Sequence, residues 1–227
     1  QEEFLSYLEL LSSTYHPRKW VTLIQCPTFS FDHFDLEAAK RRGYFAYPPR
    51  GLQCLKAVAE ECGVRVDILD LNFKILERLR FASPPEPVQL HAMEEEILTA
   101  YLDERPECSI VGVSAGVTVP NVFSYQGHPY IHVLRTLMRK GRYIVLSGGP
   151  IATLERRNLL KLGLVHLVFK GEAEHKFRYF IAALFGLEGG QETPAIFFRL
   201  NDKLYETSGP PDTVSPKLDL VSTYADV

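Results

Sequence analysis

The sequence predicts an α/β fold of the flavodoxin-like (Rossmann-like) type, a doubly wound five-stranded parallel sheet with helices on both faces. Three observations predict it. Short apolar runs alternate with amphipathic segments of helical periodicity from residue 20 to residue 185. Gly and Pro stand between these segments, where turns and helix ends are expected. The third apolar run, SIVGVS at residues 109–114, is almost uniformly apolar, as a strand buried on both faces should be.

Each element follows from its own stretch of sequence. A short amphipathic helix over residues 1–15 precedes the first strand. The five predicted strands cover residues 20–26, 64–71, 109–114, 143–146 and 164–169. The helices between and after them cover residues 48–62, 88–103, 129–140, 153–162 and 174–185. The expected strand order is 2-1-3-4-5, which places a ligand at the carboxyl ends of the strands, between the first and the third.

A long connection follows the first strand, from residue 27 to residue 49. Loops of this length in compact domains are uncommon and usually functional. It is rich in aromatic side chains, namely Phe29, Phe31, Phe34, Tyr44, Phe45 and Tyr47.

The carboxyl-terminal part of the chain follows a different pattern. Residues 195–200 and 203–207 flank Asn201 and Asp202, which predicts a β-hairpin. Three prolines, Pro210, Pro211 and Pro216, then indicate a linker. The predicted organisation is a helical appendage at 1–18, the α/β domain at 19–187, and the hairpin with its linker at 188–227.

Composition limits the functional classes. The 227 residues carry a net charge of −3, which argues against nucleic acid as a partner. No apolar run approaches the ~18–20 residues of a membrane span, and the acidic start lacks the features of a signal peptide. The four cysteines are scattered without metal or disulfide spacing, which predicts reduced thiols and a cytoplasmic location.

Small and hydroxyl-bearing residues cluster where the predicted strands end. They are Ser114 to Thr118 after the third strand, Ser147 to Pro150 after the fourth, and Gly171 to Glu174 after the fifth. Such residues let a large ligand approach the backbone closely, although Gly and Ser also simply form tight turns. No dinucleotide G-x-G-x-x-G, P-loop, zinc-spaced Cys-His set or G-x-S-x-G elbow is present.

Three stretches resemble one family. YPPRGLQCLKAVAEECGVRVDILDLN at residues 47–72 resembles a P-P-x-G-L…L…A…G-x-x-V-x-x-x-D signature. Residues 109–123 and 145–154 resemble V-G-x-S…T and G-G-P-x-A-T segments, and residues 167–177 resemble V-x-G-E-G-E-x-x-F. This ordered set is similar to the N-terminal B12 (cobalamin)-binding domains of radical SAM proteins.

The resemblance implies a cobalamin-binding module that positions the corrinoid for methyl transfer or radical chemistry performed by another domain. That partner is the radical SAM domain of the same parent chain, which would hold the 4Fe-4S cluster and S-adenosylmethionine. The implied cofactor-binding residues are Tyr47, Pro48 and Pro49 beside the corrin, Ser114, Thr118, Gly148, Gly149 and Pro150 around the cobalamin tail, and Gly171 and Glu172 in the last loop.

The sequence also departs from the family pattern. The D-x-H-x-x-G motif is absent: His33 lies in the expected loop with the wrong spacing, so the lower cobalt ligand stays open. Ala173 replaces the second glycine of the last loop. Because C-x-x-x-C-x-x-C is also absent, we expect no iron–sulfur cluster in this chain and assign it no catalytic residue and no metal ligand.

Two other interpretations remain. The domain could be a degenerate scaffold or interaction module in which Phe29, Phe31, Phe34 and Phe45 fill the cofactor groove. Alternatively, it could be a nucleotide-sugar or S-adenosylmethionine enzyme on a similar sheet, with Asp70 holding a ribose.

Overall fold

The computed structural model describes residues 2–41, 48–80, 87–115, 122–123, 127–187 and 194–207. Its helices are α1 (Glu2–Tyr15), α2 (Leu36–Lys40), α3 (Arg50–Glu61), α4 (Leu71–Leu79), α5 (Pro87–Asp103), α6 (Pro129–Lys140), α7 (Pro150–Lys161) and α8 (Glu174–Phe185). Its strands are β1 (Trp20–Gln25), β2 (Arg65–Asp70), β3 (Ile110–Ser114), β4 (Ile144–Gly148), β5 (Leu167–Phe169), β6 (Ile196–Leu200) and β7 (Lys203–Glu206).

The strands form one sheet in the order β2-β1-β3-β4-β5-β6-β7. The first five pair in parallel, which confirms the predicted fold class and the order 2-1-3-4-5. Within the described residues the sheet has seven strands rather than the predicted five, because the hairpin β6–β7 continues it antiparallel to β5. Ile196 and Phe198 are buried on one face of β6 and Phe197 on the other, so this hairpin covers an otherwise open edge.

Two apolar layers enclose the sheet. One is formed with α4, α5, α6 and α7, and its largest buried members include Tyr130 and Tyr143. The other is formed with α1, α3 and α8, and includes Phe177 and Phe180. Helices on both faces are the arrangement that a parallel sheet requires to bury its strands.

Helix α1 packs on the second layer. Phe4, Tyr7, Leu8 and Leu11 lie on one face and are at most 6 % exposed. The Phe4 and Tyr7 rings contact Phe198 of β6 at centroid distances of 5.4 and 5.1 Å. The helix therefore shares its core with α8 and β6, while the division of the chain into domains stays a prediction.

Helix α4 corrects the sequence-based assignment of this region. We expected strand β2 to run through Leu71, but Asp70 ends it and caps the helix by accepting a bond from the Phe73 amide at 2.8 Å. Leu71, Ile75 and Leu79 then form a buried stripe at helical spacing. An apolar residue such as Leu71 suits either a strand or a helix. The capping side chain of Asp70 is the sequence feature that indicates a helix beginning at Leu71.

None of the described helices combines the length and the hydrophobicity that a membrane span requires. Cys26, Cys54, Cys62 and Cys108 are free thiols.

Candidate functional site at the carboxyl edge of the sheet

A cavity of about 240 Å³ opens at the carboxyl ends of β1, β3, β4 and β5. The beginnings of α3 and α8 close its sides on the layer that contains α1. This is where a doubly wound sheet places its ligand, beside the switch between β1 and β3. Its lining is Leu23, Gln25, Pro49, Arg50, Gly51, Leu52, Leu55, Gly112, Val113, Ser114, Leu146, Ser147, Gly148, Gly149, Phe169, Gly171, Glu172, Ala173, Glu174 and Phe177.

Two rows of residues across the sheet make the floor of this cavity. In the lower row, Gly112 of β3 pairs with Leu23 of β1 and with Leu146 of β4. In the upper row, Ser114 pairs with Gln25 and with Gly148. Because side chains alternate along a strand, residues two apart point to the same face, so both rows face the cavity. The lower row is therefore apolar, and the upper row, at the rim of the cavity, carries the polar side chains of Gln25 and Ser114.

Glycines keep the space open at two positions. Gly149 has φ +91° and ψ −179°, a conformation that is open essentially only to glycine. A Cβ atom there would lie 3.2 Å from the Ser114 hydroxyl oxygen. At Gly112, a Cβ atom would lie 2.7 Å from Cδ2 of Leu23. A side chain at either position would therefore intrude on the cavity or displace its wall.

The polar groups of the rim differ in their availability. Among the described residues, the Ser114 hydroxyl has no hydrogen-bond partner and faces the cavity. The Ser147 hydroxyl donates to the Val113 carbonyl at 2.8 Å and lies 2.7 Å from the Tyr130 hydroxyl, so it belongs to the fold. The Gly171 amide donates to Thr153 at 3.1 Å. Of the two described serine hydroxyls at the rim, that of Ser114 is thus the one available to a ligand.

Three helices start at the cavity without a side-chain cap. The residues before them, Pro49 for α3, Gly149 for α7 and Ala173 for α8, make no capping hydrogen bond. By contrast, α2, α4 and α6 are capped by the side chains of Asp35, Asp70 and His128. Uncapped helix starts leave backbone N–H groups and a positive dipole end for anionic or polar ligand groups.

A buried lysine holds the last loop of the cavity in place. The Lys176 ammonium donates to the Glu172 carbonyl oxygen at 2.6 Å, and Lys176 is 1 % exposed. Gly171 in the same loop has φ +69°. Glu172, Glu174 and Arg50 bring charged side chains to the rim, where they can bond to amide groups of a ligand.

The structure brings together six of the ten predicted site residues. Pro49, Ser114, Gly148, Gly149, Gly171 and Glu172 line the cavity. Pro48 and Pro150 lie beside it at the starts of α3 and α7 without lining it. Tyr47 and Thr118 lie outside the described residues. Their role in binding stays a prediction.

The described aromatic residues of the long loop do not fill the cavity. Phe29 and Phe31 are buried in a third apolar cluster, together with Leu36 of α2, residues of α4 and Leu90 of α5. Phe34 packs against the same cluster. That cluster lies with α4 and α5, on the face opposite α3 and α8. Phe45 lies outside the described residues.

Sequence reasoning missed the walls of the cavity. Leu23, Leu146 and Phe169 lie on strands, and Phe177 lies on α8. The first two could have been found by counting two residues back from Gln25 and Gly148, since alternate residues of a strand share a face. Phe177 could not, because it reaches the cavity only through the packing of α8 on the sheet.

Two other sequence candidates lie elsewhere. Asp70, considered as a ribose-binding residue, caps α4 and does not line the cavity. Burial is the main cause that raises the pKa of its carboxyl group. His33 is exposed in the long loop. The described cavity lining contains no histidine.

Comparison with known proteins identifies a family. A family model described as "B12 binding domain" matches residues 39–181, more than half of the chain. No curated protein sequence matches significantly.

Solved structures share the fold. One is the radical S-adenosylmethionine methyltransferase TsrM from Kitasatospora setae with cobalamin and a [4Fe-4S] cluster bound, with 19% identity and a TM-score of 0.56 over 87% of this chain and 30% of that chain. Another is the cobalamin-dependent S-adenosylmethionine radical enzyme OxsB with aqua-cobalamin and S-adenosylmethionine bound, with 13% identity and a TM-score of 0.53 over 85% of this chain and 22% of that one. The chain thus spans less than a third of these structures.

Proposed function

The chain belongs to the B12-binding domain family, and from this premise we propose that it holds cobalamin at the carboxyl edge of its sheet. The observation that carries the proposal is the cavity above β1, β3 and β4, whose floor residues Gly112 and Gly148 lack side chains. In the described residues, no aromatic side chain of the long loop lines this cavity. Ligand sites are typically such preformed, mostly apolar spaces with a few polar groups.

The residues present fit the chemistry of the cofactor. Cobalamin carries an apolar benzimidazole base, a phosphodiester and many amide side chains. Leu23, Leu146 and Phe169 offer apolar walls for the base. The uncapped start of α7 at Gly149 suits the phosphate, and the Ser114 hydroxyl can bond to the ribose or the phosphate.

When bound, cobalamin supplies a cobalt centre that can carry a methyl group or take part in radical chemistry. The chain's own contribution is binding and orientation. Gly149 and Ser114 would hold the tail, and the loop that the Lys176 bond to the Glu172 carbonyl fixes in place would orient the rim. The apolar floor excludes water from the buried part of the ligand.

We further propose that the reaction is completed by a radical SAM domain that contributes the 4Fe-4S cluster and S-adenosylmethionine. Two considerations support this. The structures that share the fold are cobalamin-dependent radical SAM enzymes of which this chain spans less than a third. In addition, C-x-x-x-C-x-x-C is absent from the sequence. That domain would carry out the methyl transfer or radical chemistry, while the residues of this chain would hold the cofactor.

Titration with hydroxocobalamin and methylcobalamin tests the proposal. We expect one corrinoid per chain to co-elute on gel filtration, with a changed visible absorption spectrum. If neither corrinoid co-elutes in any redox state, the domain is a scaffold or interaction module and the binding proposal is wrong.

The variant Ser114→Ala tests the contact at the rim. We expect a rise in the dissociation constant of about 2- to 10-fold, since a hydrogen bond contributes about 0.5–1.5 kcal/mol net. Stability should be unchanged, because this hydroxyl has no partner among the described residues. Isothermal titration calorimetry checks the affinity. Equal affinity of the variant and the parent would mean that the Ser114 hydroxyl does not contact the ligand.

The variant His33→Ala tests the lower cobalt ligand. Because His33 is exposed and does not line the cavity, we expect the absorption spectrum of the bound corrinoid to be unaltered. A shift of that spectrum between the parent and the variant would instead make His33 the cobalt ligand.

A further inference from the structure

A second cluster of ligand-type side chains lies between α5 and α6. His91 and Glu94 are three residues apart on α5, and His132 faces them from α6. One ligand atom from each of the three lies within 4.8 Å of the other two. These helices cover the face of the sheet opposite α3 and α8, so the cluster is separate from the cavity.

The three side chains converge on one carboxylate. Nδ1 of His132 lies 2.6 Å from Oε2 of Glu94. Nδ1 of His91 lies 3.9 Å from the same oxygen. The two imidazole rings have centroids 4.7 Å apart.

Two buried polar atoms of this cluster lack a hydrogen-bond partner among the residues that the structure describes. Glu94 is 0 % exposed, and its Oε1 atom makes no hydrogen bond with the described residues. The same holds for Nδ1 of His91. A buried carboxylate is costly unless all of its oxygens are satisfied, and the bond to His132 satisfies only one of them. A cation held between these groups would bind the free Nδ1 of His91 and neutralise the buried Glu94 carboxylate.

We propose that His91, Glu94 and His132 bind a divalent transition-metal ion of the Zn²⁺ class. Two imidazole nitrogens and one carboxylate are a donor set that Zn²⁺ takes, with water as the fourth ligand. Zn–N and Zn–O distances of about 2.0–2.2 Å place tetrahedral ligands about 3.4 Å apart. His132 and Glu94 therefore need to separate slightly, whereas His91 and Glu94 need to approach.

The surroundings orient the ligands. Nε2 of His91 lies next to Gly127, where an added Cβ atom would be 2.7 Å away, and Nδ1 lies on the side of Glu94, so Nδ1 is the nitrogen that would bind the ion. Nε2 of His132 lies 3.6 Å from Glu95, whose carboxylate accepts a bond from Arg139 at 2.9 Å. A carboxylate on the far nitrogen of a histidine is a common support for a zinc ligand.

The ion has a structural role in this position. It joins α5 to α6 through three side chains. It also supports the long aromatic loop, because the Phe31 ring packs against His91 at a centroid distance of 4.7 Å. Metal binding is therefore coupled to stability, as it is wherever the folded state alone presents the ligands.

The test uses the tag-free full chain, stripped with EDTA and titrated with Co²⁺ by visible absorption, followed by competition with Zn²⁺. We expect one ion per chain, a tetrahedral Co²⁺ spectrum and a higher melting temperature with Zn²⁺. His132→Ala and His91→Ala should each weaken binding by at least about 100-fold. Glu94→Gln, which preserves shape, should do the same while circular dichroism stays that of the parent.

His175→Ala is the matched control, because His175 is an exposed histidine on α8, on the other face of the sheet. It should bind Co²⁺ as the parent does. The proposal is overturned if the parent binds no Co²⁺ or Zn²⁺, if the three ligand variants bind as tightly as the parent, or if His175→Ala removes the binding. No cobalamin is present in these measurements, so their outcome is independent of the cofactor proposal.

Discussion

The variant Gly149→Ala is expected to weaken cobalamin binding by about 100-fold, roughly 3 kcal/mol. The backbone at Gly149, with φ +91° and ψ −179°, is strained for any residue with a Cβ atom. That atom would also lie 3.2 Å from the Ser114 hydroxyl oxygen, inside the space that we assign to the cobalamin tail. The turn must therefore shift, and the start of α7 shifts with it. Calorimetric titration with hydroxocobalamin measures the effect.

The control for this variant is Gly163→Ala. Gly163 also has a positive φ, +63°, and a Cβ atom there would meet nothing within 4 Å. We expect it to lower the free energy of unfolding by about 1–2 kcal/mol, as a left-handed non-glycine residue does, and to leave binding unchanged. The site assignment fails if Gly149→Ala binds like the parent, or if Gly163→Ala loses as much affinity while remaining folded.

Sequence patterns predicted the part of the fold that depends on local chemistry. The positions of Ser114, Gly148 and Gly171 at strand ends followed from apolar runs that stop at small residues. The parallel order then placed those ends at one edge of the sheet, as observed. Strand ends are predictable because the change from apolar to small or polar residues is itself a local signal.

What the sequence could not predict depends on packing between distant residues. Ser147 is as small and polar as Ser114, yet its hydroxyl is used by Val113 and Tyr130. The histidines of the proposed metal site do not have the sequence spacing of a zinc motif, because His91 and His132 lie on different helices. Their proximity arises only when α5 packs on α6. The pairing of β6 with β5 also joins strands that are distant in sequence. The turn residues that predict a hairpin do not indicate which strand the hairpin will pair with.

Lowering the pH from 6.5 to 4 is expected to reduce the free energy of unfolding, by up to ~3 kcal/mol through His166 alone. Burial lowers the pKa of His166 from its usual 6.5 to about 4. Its Nδ1 accepts a bond from the Val145 amide at 2.9 Å, so that nitrogen carries no proton in the folded state. Its Nε2 lies 2.9 Å from the Tyr15 hydroxyl oxygen.

Proton uptake determines the direction in which pH changes the free energy of unfolding. Between pH 6.5 and pH 4 the unfolded chain protonates His166 whereas the folded chain does not, so acid favours unfolding in this window. The contribution of His166 to the free energy of unfolding is fully present above pH 6.5 and is lost as the pH falls to about 4. His128 acts in the same direction, because burial lowers its pKa to about 4 as well. Urea unfolding at several pH values measures the slope.

The variant His166→Asn isolates the contribution of this histidine. The asparagine carboxamide oxygen can still accept the Val145 amide, but it does not titrate in this range. We expect the variant to be less stable than the parent at pH 7 and to lose less stability between pH 6.5 and pH 4. His175→Asn, at the exposed position on α8, should retain the slope of the parent. An unchanged slope in His166→Asn would mean that the acid sensitivity has its origin elsewhere, with His128 the next group to replace.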